Sequence, residues 1–247
     1  MKIPRFVKKI LGDTRFYTFV RTRWCEYLSS RPHKRLAKHG IVVLKRVEEI
    51  LSKTKAVYFA DYGTLLGIVR DKSFCANDDD IDYSIMGGSV SPLDILNLFD
   101  GHEGFVFIRA FEFRRKITEL RFSCKGVPID FFFSYNKEDS MLTPGYYPPG
   151  ETFCTKFGTV WRAYAHNRTC VFDRIGIFFG GVRITVPSNF EVLLSDTYGS
   201  WRIPVDSWSD TTPIDYGQNP RLEFRDCATI VDAKRVREIG FNKDIEL

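Results

Sequence analysis

Asp61 to Met86 reads Asp-Tyr-Gly-Thr-Leu-Leu-Gly-Ile-Val-Arg-Asp-Lys-Ser-Phe-Cys-Ala-Asn-Asp-Asp-Asp-Ile-Asp-Tyr-Ser-Ile-Met. The apolar run Ala56 to Ala60 precedes it, Gly63-Thr64 follows as a small-residue turn, and Leu65 to Arg70 continues at helical spacing. That order predicts strand, turn and helix, with backbone N–H groups at the helix start available to a phosphate. Four acids then fall between Asp78 and Asp82 and run into an apolar strand, expected over 79–85. Side chains alternate across a strand, so Asp78, Asp80 and Asp82 are expected on one face, with Asp79 and Ile81 on the other. Carboxylates massed in this way raise one another's pKa unless a cation takes up the repulsion. Hard oxygen ligands suit Mg²⁺ or Mn²⁺.

Outward from this stretch, the chain of 247 residues is long enough to bury a sizeable core. Its 44% hydrophobic and 27% charged residues are those of an ordinary globular protein. The twenty-two Phe point to a β-rich core or a carbohydrate-facing surface, the core being the simpler reading. Six scattered cysteines, with no Cys-x-x-Cys pair, argue against structural zinc and a disulfide framework, and read as reduced thiols of a cytoplasmic protein. No apolar run approaches the roughly 20 residues of a membrane span, and the first residues lack the apolar core of a signal peptide.

The net charge of +5 is concentrated between Met1 and Arg46, where thirteen Lys or Arg face only Asp13 and Glu26. Residues 1–40 read as a basic amphipathic helical segment, either a peripheral anchor at the inner face of a membrane or a packed helix with a solvated face. The modest total charge argues against nucleic acid as a partner. A helix is expected over 36–53, then the strand at 56–61.

Beyond the acids, Ser91-x-x-Asp94 and Ser188-x-x-Glu191 both have the form of a capping box. Strands are expected at 105–111, 117–123 and 127–133. Asp130 is a lone acid inside the last of these, and its plainest reading is a buried salt bridge to an arginine. The stretch 136–155, with Pro144-Gly145-Tyr146-Tyr147-Pro148-Pro149-Gly150, reads as a stiff aromatic loop beside a cleft. Two or three strands are expected over 160–186, joined at His166-Asn167-Arg168 and at Gly180-Gly181, with His166 a solvated turn residue. A final helix is expected over 227–238.

Four pieces in order carry a resemblance: Tyr-Gly-Thr-Leu-Leu-Gly-Ile-Val-Arg at 62–70, Asp-Asp-Asp-Ile-Asp at 78–82, Pro-Ile-Asp-Phe-Phe around Asp130, and Val186 to Pro204 with its Tyr-Gly-Ser-Trp-Arg-Ile-Pro ending. Together they resemble the LicD family of phosphocholine transferases and fukutin-related proteins, within the DNA polymerase beta-like nucleotidyltransferase superfamily. The resemblance implies an α+β fold, a nucleotidyltransferase-like mixed sheet core with flanking helices and added strands. It places the catalytic domain at 41–205, with 206–247 a loop and helix packed on the same domain.

The resemblance also implies a Mg²⁺- or Mn²⁺-dependent transfer of a phosphorylated alcohol from a CDP-linked donor to a glycan or lipid-linked glycan. Asp80, Asp82 and Asp130 would be the catalytic carboxylates and metal ligands, joined by Asp78 either as a ligand or as an orienting group. Asp130 is also a candidate base for the acceptor proton. Gly63, Thr64 and Arg70 would bind the donor phosphates, although Arg70 has the alternative of pairing with an acid. Where family members commonly carry His-x-Gly-Phe and Pro-Trp before the acids, this chain has Asp71-Lys72-Ser73-Phe74 and Cys75-Ala76-Asn77, which implies a different donor preference. The same carboxylates would serve a nucleotidyltransferase releasing pyrophosphate from an NTP, and a noncatalytic binding protein is the remaining alternative.

Overall fold

The computed structural model describes residues 34–76, 78–147, 154–155, 158–204 and 221–240. The expected N-terminal amphipathic segment therefore falls outside the described residues up to residue 33. Helix α1 spans 34–51, close to its expected place. Its Val43, Leu44, Val47, Ile50 and Leu51 are buried at helical spacing, so one stripe enters the core. Strand β1 (Tyr58–Ala60) leads into the short helix α2 (Tyr62–Leu66), a π-helical turn over Gly67–Asp71, and strand β2 (Ile81–Met86).

Helix α3 (Pro92–Phe99) begins with the expected capping box: Ser91 Oγ accepts from the Asp94 N–H at 3.1 Å, and Asp94 Oδ2 accepts from the Ser91 N–H at 3.0 Å. Strands β3 (Phe105–Phe113), β4 (Lys116–Cys124), β5 (Val127–Lys137) and β6 (Ser140–Tyr146) follow as an antiparallel meander. Then come β7 (Cys154–Thr155), β8 (Gly158–Thr169), the hairpin β9 (Arg174–Phe179) and β10 (Val182–Pro187), helix α4 (Phe190–Tyr198), β11 (Leu222–Val231) and helix α5 (Ala233–Ile239).

The principal sheet has nine strands and runs β1-β2-β5-β4-β3-β11-β8-β6, with β7 on β8. β6 also pairs with the end of β5, so the path returns on itself. β2 and β5 run parallel, in register from Ile81↔Ile129 to Met86↔Ser134. A parallel pair requires a crossover, supplied here by α3 and the β3–β4 hairpin. Phe99 meets Phe105, Phe122 and Phe131 at ring separations of 4.8 to 5.7 Å, the aromatic centre of the core. Cys75, Cys124, Cys170 and Cys227 are free thiols.

Several local expectations are corrected. Pro144 and Gly145 lie within β6 instead of a loop, paired with Ala165 and Tyr164. Gly145 is needed there because an added Cβ would fall 2.5 Å from the Tyr164 ring. β8 runs straight through His166-Asn167-Arg168, so no turn breaks it, whereas Gly180-Gly181 does join β9 to β10. The second capping box is absent: α4 starts after Asn189, whose amide donates to Cys170 O at 3.0 Å and makes no cap bond. Residues 227–231 belong to β11, where Thr229, Ile230 and Val231 pair with Glu112, Phe111 and Ala110. These β-branched residues suit a strand filling the gap between β3 and β8.

One buried carboxylate fixes α1 to the sheet. Glu48 accepts from the hydroxyls of Tyr58, Tyr83 and Thr185 and from the Thr185 N–H, each at 2.9 Å. Four donors from β1, β2 and β10 thus converge on one side chain. Glu48→Ala leaves them unpaired and is expected to cost about 3–5 kcal/mol, with Glu48→Gln retaining part of the stability. Urea unfolding of the two variants measures this, and equal, small losses would show that the network contributes little.

Candidate active site

Asp61 follows β1 and caps α2 by accepting from the Tyr62 N–H at 2.8 Å. Its carboxylate is 1% exposed and held by Arg168 through two bonds, Nη1 to Oδ1 at 2.8 Å and Nη2 to Oδ2 at 2.7 Å. Ser84 Oγ adds a third donor at 2.5 Å. Arg168 also donates to Thr143 at 2.9 Å and lies over the Tyr62 ring, 4.5 Å from its centroid. This buried ion pair explains why β8 stays extended at His166-Asn167-Arg168. His166 packs against Tyr62 and Tyr164, and burial, then Arg168 and Arg221, hold its pKa well below the usual histidine range. The imidazole is neutral, in contrast to the expected solvated turn residue.

α2 in turn fixes the acids. Thr64 Oγ1 accepts from the Asp82 N–H at 2.9 Å, while the Asp61 N–H donates to Asp82 O at 3.0 Å. Thr64 is 1% exposed, and its hydroxyl is engaged in positioning Asp82. Gly63 is in the first turn of α2, and an added Cβ would fall 2.4 Å from Asp78 Oδ2. The carboxylate at this helix start is therefore that of Asp78, and burial pushes its pKa up to about 6. Arg70 is engaged by Asp71, through Nε to Oδ1 at 2.6 Å and Nη2 to Oδ2 at 2.8 Å, and donates to Trp201 O at 3.3 Å. Of its two expected roles, the structure shows the acid pair.

β2 begins at Ile81, so Asp78 and Asp80 precede the strand and do not share its alternation. Asp82 does, and the parallel register sets it directly beside Asp130 on β5. Asp80 reaches them from the loop, and one carboxylate oxygen of each of the three lies within 4.8 Å of the others. Asp78 is not part of that group. Across β5, Asp130 pairs in register with Arg121 of β4. Arg121 Nε donates to Asp130 Oδ1 at 2.6 Å, and its Nη2 donates to Asp130 Oδ2 and, at 2.9 Å, to Asp80 Oδ2. The salt-bridge reading of Asp130 and the carboxylate-cluster reading thus hold at once.

The charge balance of this group fits a divalent cation. Three carboxylates against one guanidinium leave two negative charges, and burial, followed by neighbouring carboxylates, raises the pKa of both Asp80 and Asp82 well above the usual range. A buried like-charge cluster of this kind either takes up protons or shares a metal. Asp80, Asp82 and Asp130 could hold such an ion.

Sequence reading did not find Arg121, Arg168 or Glu119. The available signal was faint: Glu119 and Arg121 are alternate residues of one strand, hence on one face, but nothing in one dimension selects Arg121 from the other arginines as the partner of Asp130. Glu119 is 6% exposed on β4. Burial, and then Asp130, push its pKa up to about 8 against the pull of Arg121 and Arg109.

An α+β protein with a mixed sheet and a cluster of three carboxylates, two on adjacent parallel strands and one on the loop before them, is the class these features define. The model of the family described as LicD/FKTN/FKRP, nucleotidyltransferase domain, matches residues 55–189, more than half of the chain, and spans β1 to β10 with all three carboxylates. The chain belongs to that family, whose membership points to a transferase acting on glycans. A comparison with curated proteins gave no match.

Two outcomes are expected from this geometry. Gly63→Ala should displace the Asp78 carboxylate, lowering stability by about 1–3 kcal/mol and weakening Mn²⁺ binding; calorimetric titration with wild-type affinity would contradict this. Glu119 titrates differently in the two states. Below its ordinary pKa of 4.5 it is protonated whether folded or unfolded. Between there and about 8 only the unfolded chain ionises it, so stability falls as pH rises and the penalty is complete above that range. Glu119→Gln should therefore match wild type near pH 4.5 and exceed it above pH 8 by on the order of a few kcal/mol. Melting curves that stay parallel across pH would refute it.

Proposed function

We propose that the protein transfers a phosphorylated alcohol, in the class of phosphocholine, ribitol phosphate or glycerol phosphate, from a CDP-linked donor to a hydroxyl of a glycan or lipid-linked glycan precursor. The observation that carries this reading is the side-by-side placement of Asp82 and Asp130 on parallel strands, with Asp80 closing the group, inside a domain of the LicD family. The site residues proposed are Asp80, Asp82 and Asp130 as holders of Mg²⁺ or Mn²⁺ on a nucleotidyltransferase-like core; of the expected stretch 206–247, residues 206–220 and 241–247 lie outside the described residues. A bound divalent ion supplies charge neutralisation for the donor diphosphate and lowers the pKa of the acceptor hydroxyl.

The protein's own residues do the positioning. Thr64 and Asp61 grip the backbone of Asp82, so its carboxylate enters the cluster at a fixed height. Arg121 holds Asp130 and Asp80 together against their mutual repulsion. Asp130, 2% exposed, is the carboxylate proposed to take the acceptor proton. Asp78 orients the loop through its contact with Gly63, and Arg70 braces the same loop against Trp201.

The test is thermal stability with Mg²⁺ and, separately, CDP-choline, CDP-ribitol, CDP-glycerol, CTP, ATP and UDP-glucose. Ligand binding to the native state raises the melting temperature by mass action, about 2.7 kcal/mol at one hundred times Kd. A shift with one CDP-alcohol, lost in Asp80→Asn or without Mg²⁺, together with CMP as product, is the expected outcome. A shift only with an NTP, with pyrophosphate released, would replace the reading by nucleotidyl transfer, and Asp80→Asn and Asp82→Asn variants with full biological activity would replace it by a noncatalytic role.

A further inference from the structure

The register of the sheet continues past the carboxylates. Asp82 pairs with Asp130, Asp130 with Arg121, and Arg121 with Arg109 of β3. Residues directly paired across strands project to the same face, so two acids and two arginines form one row over four strands, with about 4.8 Å between neighbouring strands. Arg121 is neutralised by Asp130 and Asp80. Arg109 is not: among the described residues no carboxylate pairs with it, and its Nε is buried without a hydrogen-bond partner.

Two aromatic rings hold Arg109 in place instead. Its guanidinium carbon lies 5.1 Å from the centroid of Phe111 and 5.9 Å from that of Trp161. Phe111 is itself stacked on Tyr146 at 4.3 Å and met edge-on by Trp161 at 5.3 Å, so the shelf is rigid. Trp161 Nε1 is a second buried donor without a partner. Setting an uncompensated guanidinium beside another costs energy, since the two repel and both are partly desolvated. A bound anion would relieve that cost, and a guanidinium immobilised on aromatic rings is prepared for a phosphate oxygen.

We propose that Arg109, on the Phe111–Trp161 shelf, binds a phosphate group of a substrate one strand beyond Arg121 and two beyond Asp130. The ligand class is a phosphate ester, either the diphosphate of the donor or a phosphate carried by the acceptor sugar. The inference rests on the transferase reading above and adds a second anion contact to it.

The test uses the full chain with Mn²⁺ and two probes, cytidine 5′-diphosphate for the donor and N-acetylglucosamine 1-phosphate for the acceptor, titrated by calorimetry. Arg109→Gln should weaken binding of one probe by about tenfold or more, and Arg109→Lys, which keeps the charge but loses the fork, by less. Mn²⁺ affinity and melting temperature should stay near wild type in at least the Lys variant. A loss confined to cytidine diphosphate assigns the donor, and a loss confined to the sugar phosphate assigns the acceptor. Unchanged affinity for both probes in Arg109→Gln overturns the proposal, as does a wild-type protein that binds Mn²⁺ but neither probe. A wild-type protein that fails to bind Mn²⁺ removes the transferase reading as well.

Discussion

The buried pair between Asp61 and Arg168 is the constraint on which the site depends. Each side chain is 1% exposed, and their two hydrogen bonds join the end of β1 to the middle of β8 across more than a hundred residues of sequence. Ser84 of β2, Thr143 of β6 and Thr197 of α4 bond to the same two groups. Removing either partner from such a pair leaves an unpaired buried charge, a loss of about 3–5 kcal/mol. The pair does more than stabilise, because Asp61 is also the cap of α2, and α2 carries the Thr64 hydroxyl that fixes Asp82.

The carboxylate cluster is the opposite case, a group of charges that the fold brings together at a cost. Parallel pairing of β2 and β5 sets Asp82 beside Asp130, and the loop before β2 delivers Asp80 to both. Arg121 offsets one negative charge of three, enough to hold the group in place and too little to neutralise it. Arg121 and a divalent ion would both draw on the carboxylates of Asp130 and Asp80, which ties the metal chemistry of the site to a side chain one strand away.

Much of the site was legible in order and little in detail. Asp80, Asp82 and Asp130 were picked out because acids massed on or inside apolar strands are costly, and the structure does bring the three together; Gly63 was read from its small-residue turn. The face alternation assumed for Asp78 failed because β2 starts three residues later, and Asp78 packs on Gly63 instead. Pro144-Gly145 and His166-Asn167-Arg168 looked like turns from their residue types. Both are strand, since β6 and β8 pair with each other along their length and Arg168 must reach Asp61. Residues 227–231 were expected to begin the final helix, and pairing with β3 and β8 takes them into β11 instead.

By itself the sequence determined the local elements whose signals are short in range: the stripe of α1, the Ser91–Asp94 capping box, the strand and helix around Gly63, and the acids that could not be buried alone. Those depend on contacts within a few residues, so the order of side chains carries them. Tertiary structure alone decided that Arg121 would brace Asp130, that Arg168 would neutralise Asp61, and that Arg109 would lie on Phe111 and Trp161 without a carboxylate. Which of thirty-six basic residues meets which acid is set by strand register, and register is a property of the assembled sheet.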